Sequence, residues 1–495
     1  MTAAGRMVLV SNRAPIAFID RAGGLRAARG GGGVVTALRD LVRVSPVTWL
    51  ASATATADLR AARMRLEHGG LFGGGRLALR PVPIGRDLAA GHREFSDRVL
   101  WFVQHGMWHR RVGPESPERI RWLLGRYRLA ARAFADAAVS EAHRPGHSGT
   151  TLVHDYQLYL VPGMVRRGLP GTAIAHFTHI PWPALDVWLA AVPADVVAHL
   201  ARGLLAADVL HFQTAASVRS FLSCVEALLP DAEVAGDLVR RGEHRTLVRA
   251  RAVSIDPSAL RARPSLVDRL RADPRRLVVR VDRGDPMKNV PAGFLAFERM
   301  LERRPDLVGN VRFRARIVPT RMALPEYAAE QELARTIAAR IDDRFGRGTV
   351  ELVERADRPQ ALAELAAADV VLVNSLADGM NLVAKEAAVL NPHVALVLSR
   401  TAGAYEELAD GALGIDPEDL GGTADALVTA LEMPEAERLR RAASMREKVL
   451  GWTSRDWLRS QLDDLDEARA GDDGRREAGP ASWVVRGPRV VARSA

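Results

Sequence analysis

Cysteine and aromatic residues are scarce in this chain of 495 residues. The one cysteine, Cys224, has no second cysteine to pair with, which excludes a disulfide-stapled fold and gives no argument for secretion. Aromatic residues make up 5% of the chain, and the arginines are scattered instead of forming one basic block with them. The net charge of +10 is therefore attributed to a solvated Arg-rich surface and not to a nucleic-acid partner.

Long apolar runs are also absent. No stretch approaches the roughly 18 apolar residues that a membrane span needs. The apolar run from Met7 to Val10 is far too short for the core of a signal peptide. We therefore expect a cytoplasmic enzyme that acts on small molecules, without a membrane or nucleic-acid partner, and the length predicts two or three domains.

Lysine is the rarest basic residue, with only Lys288, Lys385 and Lys448 in the chain. Arginine supplies nearly all of the remaining positive charge. Two of the three lysines stand in the segments with the most unusual polar composition, VDRGDPMKN (281–289) and NSLADGMNLVAKEAAVL (374–390). These two segments are therefore the first candidates for a functional site.

Short aliphatic runs alternate with amphipathic segments through most of the chain. The predicted strands lie at 7–13, 151–158, 173–181, 277–283, 311–319, 349–354, 369–374 and 394–399. Alternating strands and helices predict parallel sheets, and two such series predict an α/β protein with two doubly wound domains. Functional residues are then expected at the carboxyl ends of the strands. The predicted units are residues 1–255, 256–450, a helix at 451–468 and a disordered tail at 469–495.

A run of glycines, Gly30 to Gly33, precedes a helix predicted to begin at Val34. Glycines at a helix N-terminus let backbone N–H groups approach a phosphate. A flexible turn explains the same run equally well, and both interpretations stay open.

The segment VDRGDPMKN places Arg283 and Lys288 on either side of a turn that contains Pro286. A planar guanidinium and a mobile ammonium together suit the oxygens of a pyrophosphate. In the second segment, Asp378 and Gly379 predict a tight turn before a helix. The first N–H groups of that helix would face an anion, and its carboxylates suit sugar hydroxyls.

Two further strands end in polar residues. His179 follows a strand in FTHIPWP, and Asp155 follows one in VHDYQL. Both are expected to face the same crevice, where they could contact a sugar. No zinc or phosphate-loop motif is present.

Together these segments resemble the trehalose-6-phosphate synthase family, retaining glycosyltransferases with the two-domain GT-B fold. The resemblance extends from SNR (11–13) to TSRDWLRSQLDDL (453–465). Its motifs include GGVVTAL, FSDRVLW, VHDYQL, FTHIPWP, HFQT, PTR, DGMNLVAKE and SRTAGAYEEL, in the family's order.

The resemblance implies roles for individual residues. The implied catalytic residues are His179, Arg283, Lys288 and Asp378. The implied donor site adds Gly32, Gly33, Gly379, Met380, Asn381, Leu382, Val383 and, on the ribose, Glu386. The implied acceptor site contains Arg13, His92, Trp101, Asp155 and Arg321.

The implied reaction transfers glucose from UDP- or GDP-glucose to glucose 6-phosphate with retention, giving trehalose 6-phosphate. The resemblance implies no cofactor and no metal, and it is compatible with a homo-oligomer because relatives commonly self-associate.

Two departures from the family leave the activity open. His92 stands where the family usually has a tyrosine, three residues before the phenylalanine of the FSN-like motif. The turn with Gly284, Pro286 and Asn289 is similar to that of pseudoglycosyltransferases, which couple a nucleotide-linked cyclitol to an aminocyclitol phosphate. The intact DGMNLVAKE motif favours a true sugar donor. The sequence is also compatible with a glucosylglycerol-phosphate synthase and with a non-catalytic sugar-phosphate sensor.

Overall fold

The computed structural model describes residues 5–21, 24–29, 38, 41, 45–53, 56–64, 77–111 and 115–476. Gly32 and Gly33, most of the helix predicted after them, and residues 477–495 lie outside the described residues.

The strands are numbered in chain order. They are β1 (Arg6–Ser11), β2 (Ile16–Arg21), β3 (Gly24–Arg29), β4 (Val47–Ala53), β5 (Leu77–Pro83), β6 (His147–His154), β7 (Ala173–Phe177), β8 (Val209–Phe212), β9 (Glu233–Ala235), β10 (Leu238–Arg241), β11 (His244–Ala250), β12 (Arg276–Gly284), β13 (Val311–Pro319), β14 (Val350–Val353), β15 (Val370–Val373), β16 (Ala395–Ser399) and β17 (Leu413–Ile415).

The α-helices are numbered in the same way, and a π-helix at Phe95–Leu100 joins the second of them to the third. They are α1 (Thr56–Met64), α2 (Arg86–Glu94), α3 (Trp101–Gln104), α4 (Pro117–Ala142), α5 (Val161–Gly168), α6 (Leu185–Leu189), α7 (Ala194–Leu204), α8 (Ala215–Leu228), α9 (Pro264–Arg271), α10 (Val290–Arg303), α11 (Pro325–Phe345), α12 (Arg358–Ala367), α13 (Leu382–Leu390), α14 (Tyr405–Leu408), α15 (Leu420–Glu432), α16 (Glu435–Gly451) and α17 (Ser454–Arg476).

Two large sheets organise the molecule. The first has nine strands in the order β5-β4-β1-β6-β7-β8-β11-β10-β9, parallel up to β11 and antiparallel beyond it. The second has six parallel strands in the order β14-β13-β12-β15-β16-β17. In each sheet the strand order reverses near the middle, which is where α/β proteins form their sites. The predicted α/β class with two doubly wound sheets is confirmed.

The central strands form because their residues are apolar on both faces. Every residue of β7 is buried, and so is every residue of β15. Continuous burial of this kind is expected for parallel strands whose two faces are both covered. The apolar runs therefore predicted these strands to within a few residues.

The last helix of the described residues, α17, packs back onto the first sheet. Asp464 on this helix accepts a bond from Arg251 Nε at 2.8 Å and lies 2.9 Å from Nε2 of the buried His211. The helix continues to Arg476, past the predicted end at 468. The predicted boundary at 255 and 256 falls between the two sheets and stays a prediction.

The described helices include none that is both long enough and apolar enough to cross a bilayer.

Candidate active site

The carboxyl ends of strands from both sheets meet in one cleft. On one side, Asp155 follows β6 and His179 follows β7. On the opposite side, the turn with Arg283 and Lys288 follows β12, and Asp378 follows β15. The parallel topology brings these polar residues together from distant parts of the sequence. This was expected, because each of them follows a predicted strand.

Backbone conformations that are costly for side chains gather in the same place. Among the described residues, the non-glycine residues with positive φ are Asp155 (81°), Asn289 (57°), Arg321 (48°) and Asn381 (79°). Each such conformation costs roughly 1–3 kcal/mol, and functional sites are where such costs concentrate. All four stand in or beside the loops that line the cleft.

Lys288 and Asp378 form the central ion pair of the cleft. The Lys288 ammonium lies 2.5 Å from Asp378 Oδ2 and 3.6 Å from Asp282 Oδ1. Burial disfavours the charge on Lys288, but the attraction of Asp378 and Asp282 outweighs it and raises the pKa of the lysine. Burial likewise opposes the charge on Asp378, and Lys288 outweighs it, so the pKa of Asp378 is lowered. Both groups are therefore charged at neutral pH.

A fully buried arginine supports this pair from behind, and sequence reasoning missed it. Arg280 Nη2 donates to Asp282 Oδ2 and to the backbone carbonyl of Lys288, both at 2.8 Å. Arg280 Nη1 also donates to Asn374 Oδ1 at 2.9 Å. The signal was present, because an arginine inside the apolar strand LVVRV needs buried partners. Arg280 thus fixes the turn that presents Lys288.

Arg283 has more freedom than Lys288. Its side chain is 48% exposed, and Nη2 lies 3.9 Å from Oδ2 of the buried Asp285. Its guanidinium carbon also lies 5.8 Å from the ring centre of Trp101. A half-exposed cation beside a buried one can reach an anionic group that enters the cleft.

The segment 378–386 forms a turn and helix start, as the sequence predicted. Asn381 caps α13, because its Oδ1 accepts from Ala384 N at 3.1 Å and its Nδ2 donates to Asp378 Oδ2 at 3.1 Å. Met380 is buried, and Leu382 and Val383 begin the helix with partial exposure. The side chain that orients Asp378 therefore also caps the helix behind it.

Gly379 lies directly against the opposite side of the cleft. A Cβ atom at this position would overlap the carbonyl oxygen of His179. The absence of a side chain therefore lets the loop after β15 reach the loop after β7.

Glu386 is engaged within the chain. Arg358 at the start of α12 donates to both of its carboxylate oxygens, at 2.7 and 3.0 Å. The resemblance implies a ribose at this carboxylate, and sequence reasoning did not foresee the arginine. The Arg358 side chain is 56% exposed, so this ion pair lies at the solvent side of the site.

His179 is held on both sides of its ring. Its Nε2 lies 3.2 Å from His154 Nδ1, and its Nδ1 lies 3.4 Å from Gln213 Nε2. Burial, reinforced by repulsion from neighbouring histidines, lowers its pKa well below the usual value. His179 is therefore neutral at physiological pH.

Asp155 is a buried carboxylate at the same strand edge. Its Oδ1 accepts from the backbone N–H groups of Tyr156 and His179, at 2.9 and 3.2 Å. Burial raises the pKa of Asp155 to about 6, although the two N–H groups and the charges of Arg321 and Arg283 oppose the shift.

The Arg321 guanidinium donates hydrogen bonds to three side chains, and sequence reasoning did not identify these partners. Its Nη2 donates to Asp97 Oδ1 and Tyr156 OH, both at 3.0 Å, and its Nη1 donates to Tyr327 OH at 2.8 Å. The guanidinium also lies 4.4 Å from the ring centre of Trp101. The hydrogen bonds of Arg321 cross the cleft, because Arg321 follows β13 of the second sheet whereas Asp97 and Tyr156 belong to the first sheet's part of the chain.

Trp101 and Asp285 complete that arrangement. Trp101 Nε1 donates to Asp285 Oδ1 at 3.2 Å, and Asp285 Oδ2 lies 3.5 Å from Arg321 Nη1. The carboxylates of Asp97 and Asp285 therefore both face the Arg321 guanidinium. Their combined negative charge exceeds the positive charge of Arg321 alone.

Two predicted acceptor residues are not brought to this cluster. His92 is 2% exposed, its Nε2 lies 2.9 Å from the Gln157 carbonyl, and its ring stacks on Tyr127. The structure thus packs the His92 ring against Tyr127, and its acceptor contact stays a prediction. Arg13 lies exposed in the loop after β1, where Ser11 Oγ donates to its carbonyl at 2.8 Å.

Comparison with known proteins identifies the family. The family model for glycosyltransferase family 20 matches residues 5–467. The chain belongs to glycosyltransferase family 20. It is therefore a glycosyltransferase, and the predicted GT-B fold is confirmed.

Relatives with two different activities resemble the chain to a similar degree. It is 31% identical over 472 residues to a validamine 7-phosphate valienyltransferase of Streptomyces hygroscopicus subsp. jinggangensis, covering 92% of this chain and 93% of the relative. It is 32% identical over 487 residues to a trehalose-6-phosphate synthase of Mycolicibacterium vanbaalenii, covering 92% of this chain and 95% of the relative.

A solved structure gives the same fold over nearly the whole chain. The UDP-forming α,α-trehalose-phosphate synthase of Burkholderia xenovorans, in complex with glucose 6-phosphate, is 26% identical and superimposes with a TM-score of 0.77. The match covers 93% of this chain and 100% of that structure.

The raised pKa of Asp155 predicts a pH-dependent stability. Because its pKa in the folded protein lies above the value of about 4 in an unfolded chain, the free energy of unfolding falls as the pH rises from about 4 to about 6 and is level above that range. We expect Asp155→Asn to raise the free energy of unfolding by about 3 kcal/mol at pH 8 and to have little effect at pH 4. Urea unfolding at both pH values measures the difference.

The matched control is Asp463→Asn, which changes an exposed carboxylate on α17. Its effect on the free energy of unfolding should be small, because the side chain is exposed. An equal effect of Asp155→Asn at both pH values would contradict the assignment.

Proposed function

We propose that this chain transfers glucose from UDP- or GDP-glucose to glucose 6-phosphate with retention of configuration, forming α,α-trehalose 6-phosphate. The observation that carries the proposal is the Lys288–Asp378 pair at 2.5 Å, presented by the second sheet next to the contact between Gly379 and His179. This pair places a cation for a diphosphate and a carboxylate for sugar hydroxyls at one point of the cleft.

In this proposal the leaving nucleoside diphosphate is stabilised by charge. Negative charge builds on the diphosphate as the sugar–oxygen bond breaks, and preorganised cations stabilise that charge most in a site that excludes water. Lys288 stabilises the diphosphate with a buried ammonium group, and Arg283 stabilises it with a half-exposed guanidinium group. The N–H groups at the start of α13 add the positive end of the helix dipole.

The same proposal places the sugar hydroxyls against Asp378 and beside His179, whose two ring nitrogens are bonded to Gln213 and His154. Asp378 has an oxygen that accepts hydrogen bonds from Lys288 and Asn381, so its orientation is fixed before the donor binds. The ribose is assigned to Glu386, whose carboxylate is then shared with Arg358. No carboxylate is assigned as a glycosidase-type nucleophile.

The acceptor is proposed to bind where Trp101, Asp155 and Arg321 meet. From there its hydroxyl attacks on the side from which the diphosphate leaves, which retains the anomeric configuration. Closure of the two halves excludes water and prevents hydrolysis of the donor. The solved Burkholderia xenovorans relative is a complex with glucose 6-phosphate, which supports the choice of a sugar phosphate as acceptor.

A second candidate is favoured by one segment. The turn Gly284-Asp285-Pro286-Met287-Lys288-Asn289 is similar to that of pseudoglycosyltransferases, and the valienyltransferase relative is 31% identical. For this second candidate the donor is a nucleotide-linked cyclitol and the acceptor is an aminocyclitol phosphate. The intact DGMNLVAKE motif favours the sugar donor.

A donor-by-acceptor assay that measures release of nucleoside diphosphate separates the two. UDP-glucose, GDP-glucose and GDP-valienol are each offered with glucose 6-phosphate, glycerol 3-phosphate and an aminocyclitol phosphate, with and without EDTA. Release from a nucleotide-glucose with glucose 6-phosphate, unchanged by EDTA, supports the proposal. Release only with the cyclitol pair would overturn it in favour of the second candidate.

No metal is required in this proposal because two cations already face the diphosphate. Within the described part of the chain, His, Cys, Asp and Glu side chains form no group of three or more that could hold a metal ion. Loss of activity in EDTA, restored by a divalent cation, would contradict this part of the proposal.

The two cations should be needed for turnover. We expect Arg283→Ala and Lys288→Ala each to lower kcat by about 10²–10³-fold, as removal of one electrostatic donor does elsewhere. Lys448→Ala is the control, because it removes an exposed lysine paired with Asp410 in the same half of the molecule. Steady-state kinetics and thermal melting measure the effects. Near-wild-type kcat in both cleft variants would refute the diphosphate role.

Asp97 should weaken the binding of a phosphorylated acceptor, because its carboxylate competes with phosphate for Arg321. We expect Asp97→Asn to lower the acceptor KM about 3- to 10-fold, corresponding to about 1 kcal/mol, with the donor KM unchanged. The control is Asp195→Asn, which changes an exposed carboxylate paired with Arg121. A raised acceptor KM in Asp97→Asn would instead indicate that Asp97 binds a hydroxyl or ammonium group of the acceptor.

A further inference from the structure

One charged group in the donor segment has no task in the proposed reaction. Lys385 belongs to DGMNLVAKE, but its side chain is 1% exposed and forms an ion pair with Glu407 instead of joining Lys288 and Asp378. A buried ammonium is costly unless its hydrogen bonds are satisfied. Burial lowers the pKa of Lys385, and Glu407 opposes the shift.

The other hydrogen-bond partner of Lys385 lies in the segment that connects the two sheets. Its Nζ donates to the backbone carbonyl of Val253 at 2.9 Å. Val253 lies after β11, the last strand that the chain adds to the first sheet, and before β12, which begins the second. A side chain of the donor half therefore holds the connecting segment at one peptide.

The same residue is held from the opposite half. The Val253 N–H donates to Gln213 Oε1 at 2.9 Å, and Gln213 lies directly after β8 of the first sheet. Both bonds are buried, since Val253 is 4% and Gln213 is 3% exposed. Val253 is thus bonded to a side chain of each half.

The bond from Val253 also fixes the orientation of the Gln213 amide. Because Oε1 accepts from Val253, the amide nitrogen faces His179 and donates to its Nδ1 at 3.4 Å. His179 then carries its proton on Nε2, where it can donate to His154 Nδ1 at 3.2 Å. The backbone of the connecting segment therefore selects the tautomer of His179.

Further contacts fix the position of the same segment. Trp452 Nε1 donates to the Ala252 carbonyl at 2.7 Å, and the Ser454 N–H donates to the Ile255 carbonyl at 3.0 Å. These bonds join residues 252–255, where the chain leaves the first half, to residues 452–454, where it returns to that half. Beside them, Glu406 accepts from the N–H groups of Ala215 and Ala216 at the start of α8.

We propose that Lys385 is a positioning residue that acts through Val253 and Gln213 to fix the orientation and tautomer of His179. This inference rests on the proposed function, because it assigns Lys385 a part in arranging the site for transfer. It explains why this buried position carries a lysine in a chain whose basic residues are nearly all arginine. Its compact ammonium can reach a backbone carbonyl and Glu407 at once.

The first experiment compares Lys385→Met, Gln213→Leu and the double variant. Each single change is expected to lower kcat at least tenfold with the donor KM changed less than threefold. The double variant should be no worse than the more affected single variant, because both changes interrupt one path. Lys448→Met is the matched control and should keep wild-type kcat. Unchanged kcat in the single variants, or losses that multiply in the double variant, would overturn the proposal.

Hydrogen–deuterium exchange of residues 251–256 gives a readout that does not require activity. Lys385→Met and Gln213→Leu should both accelerate exchange in this segment, and Lys448→Met should not. If the wild-type chain transfers no sugar with any substrate pair, the proposed function fails while this exchange result still tests the contacts at Val253. Wild-type exchange in both variants would refute those contacts.

A second variant applies if Lys385→Met does not fold. Gln213→Glu keeps an oxygen that accepts from the Val253 N–H but loses the amide donor to His179. It should keep wild-type exchange at 251–256 and still lower kcat at least tenfold. Wild-type kcat in Gln213→Glu would overturn the assigned control of His179.

Discussion

The close approach of Gly379 to the His179 carbonyl is the constraint on which the cleft depends. The loop after β15 meets the loop after β7 at a point where no Cβ atom can be accommodated. A second glycine repeats the pattern, because a Cβ at Gly403 would overlap the carbonyl oxygen of Gly379. Backbone therefore packs on backbone twice, within the second sheet's loops at Gly403 and between the two sheets at Gly379. This packing brings Asp378 and Lys288, from one sheet, next to His179 from the opposite one.

Charges in the cleft are paired with each other before any substrate binds. Lys288 pairs with Asp378, Arg321 with Asp97, and Arg358 with Glu386. Each pair lowers the cost of burying its members, since an unpaired buried charge would be far more costly. Anionic substrates must compete with these carboxylates. The proposed specificity therefore depends on how strongly each carboxylate holds its cation.

The sequence predicted the parts of the site that follow from strand ends. Apolar runs located β7, β12 and β15, and the polar residues after them include His179, Lys288 and Asp378. Contacts across the cleft were not predictable, because Asp97 and Arg321 are far apart in sequence and meet only when the two sheets do. The burial of His92 was missed for a related reason: its stacking on Tyr127 depends on how α2 packs against α4. Arg280 left a signal in its apolar strand, and its partner Asp282 lies on that strand, but Asn374 follows β15 and meets Arg280 only in the folded sheet.

The most direct measurement of the central claim is the transfer rate of Gly379→Ala, compared with that of Gly125→Ala. Gly125 lies in α4 with open space at its Cβ position, so the control introduces the same methyl group without a clash. We predict that Gly379→Ala lowers the transfer rate at least 100-fold while each half stays folded by circular dichroism, and that Gly125→Ala keeps the wild-type rate. A wild-type rate in Gly379→Ala would show that the cleft does not depend on this contact and would contradict the account.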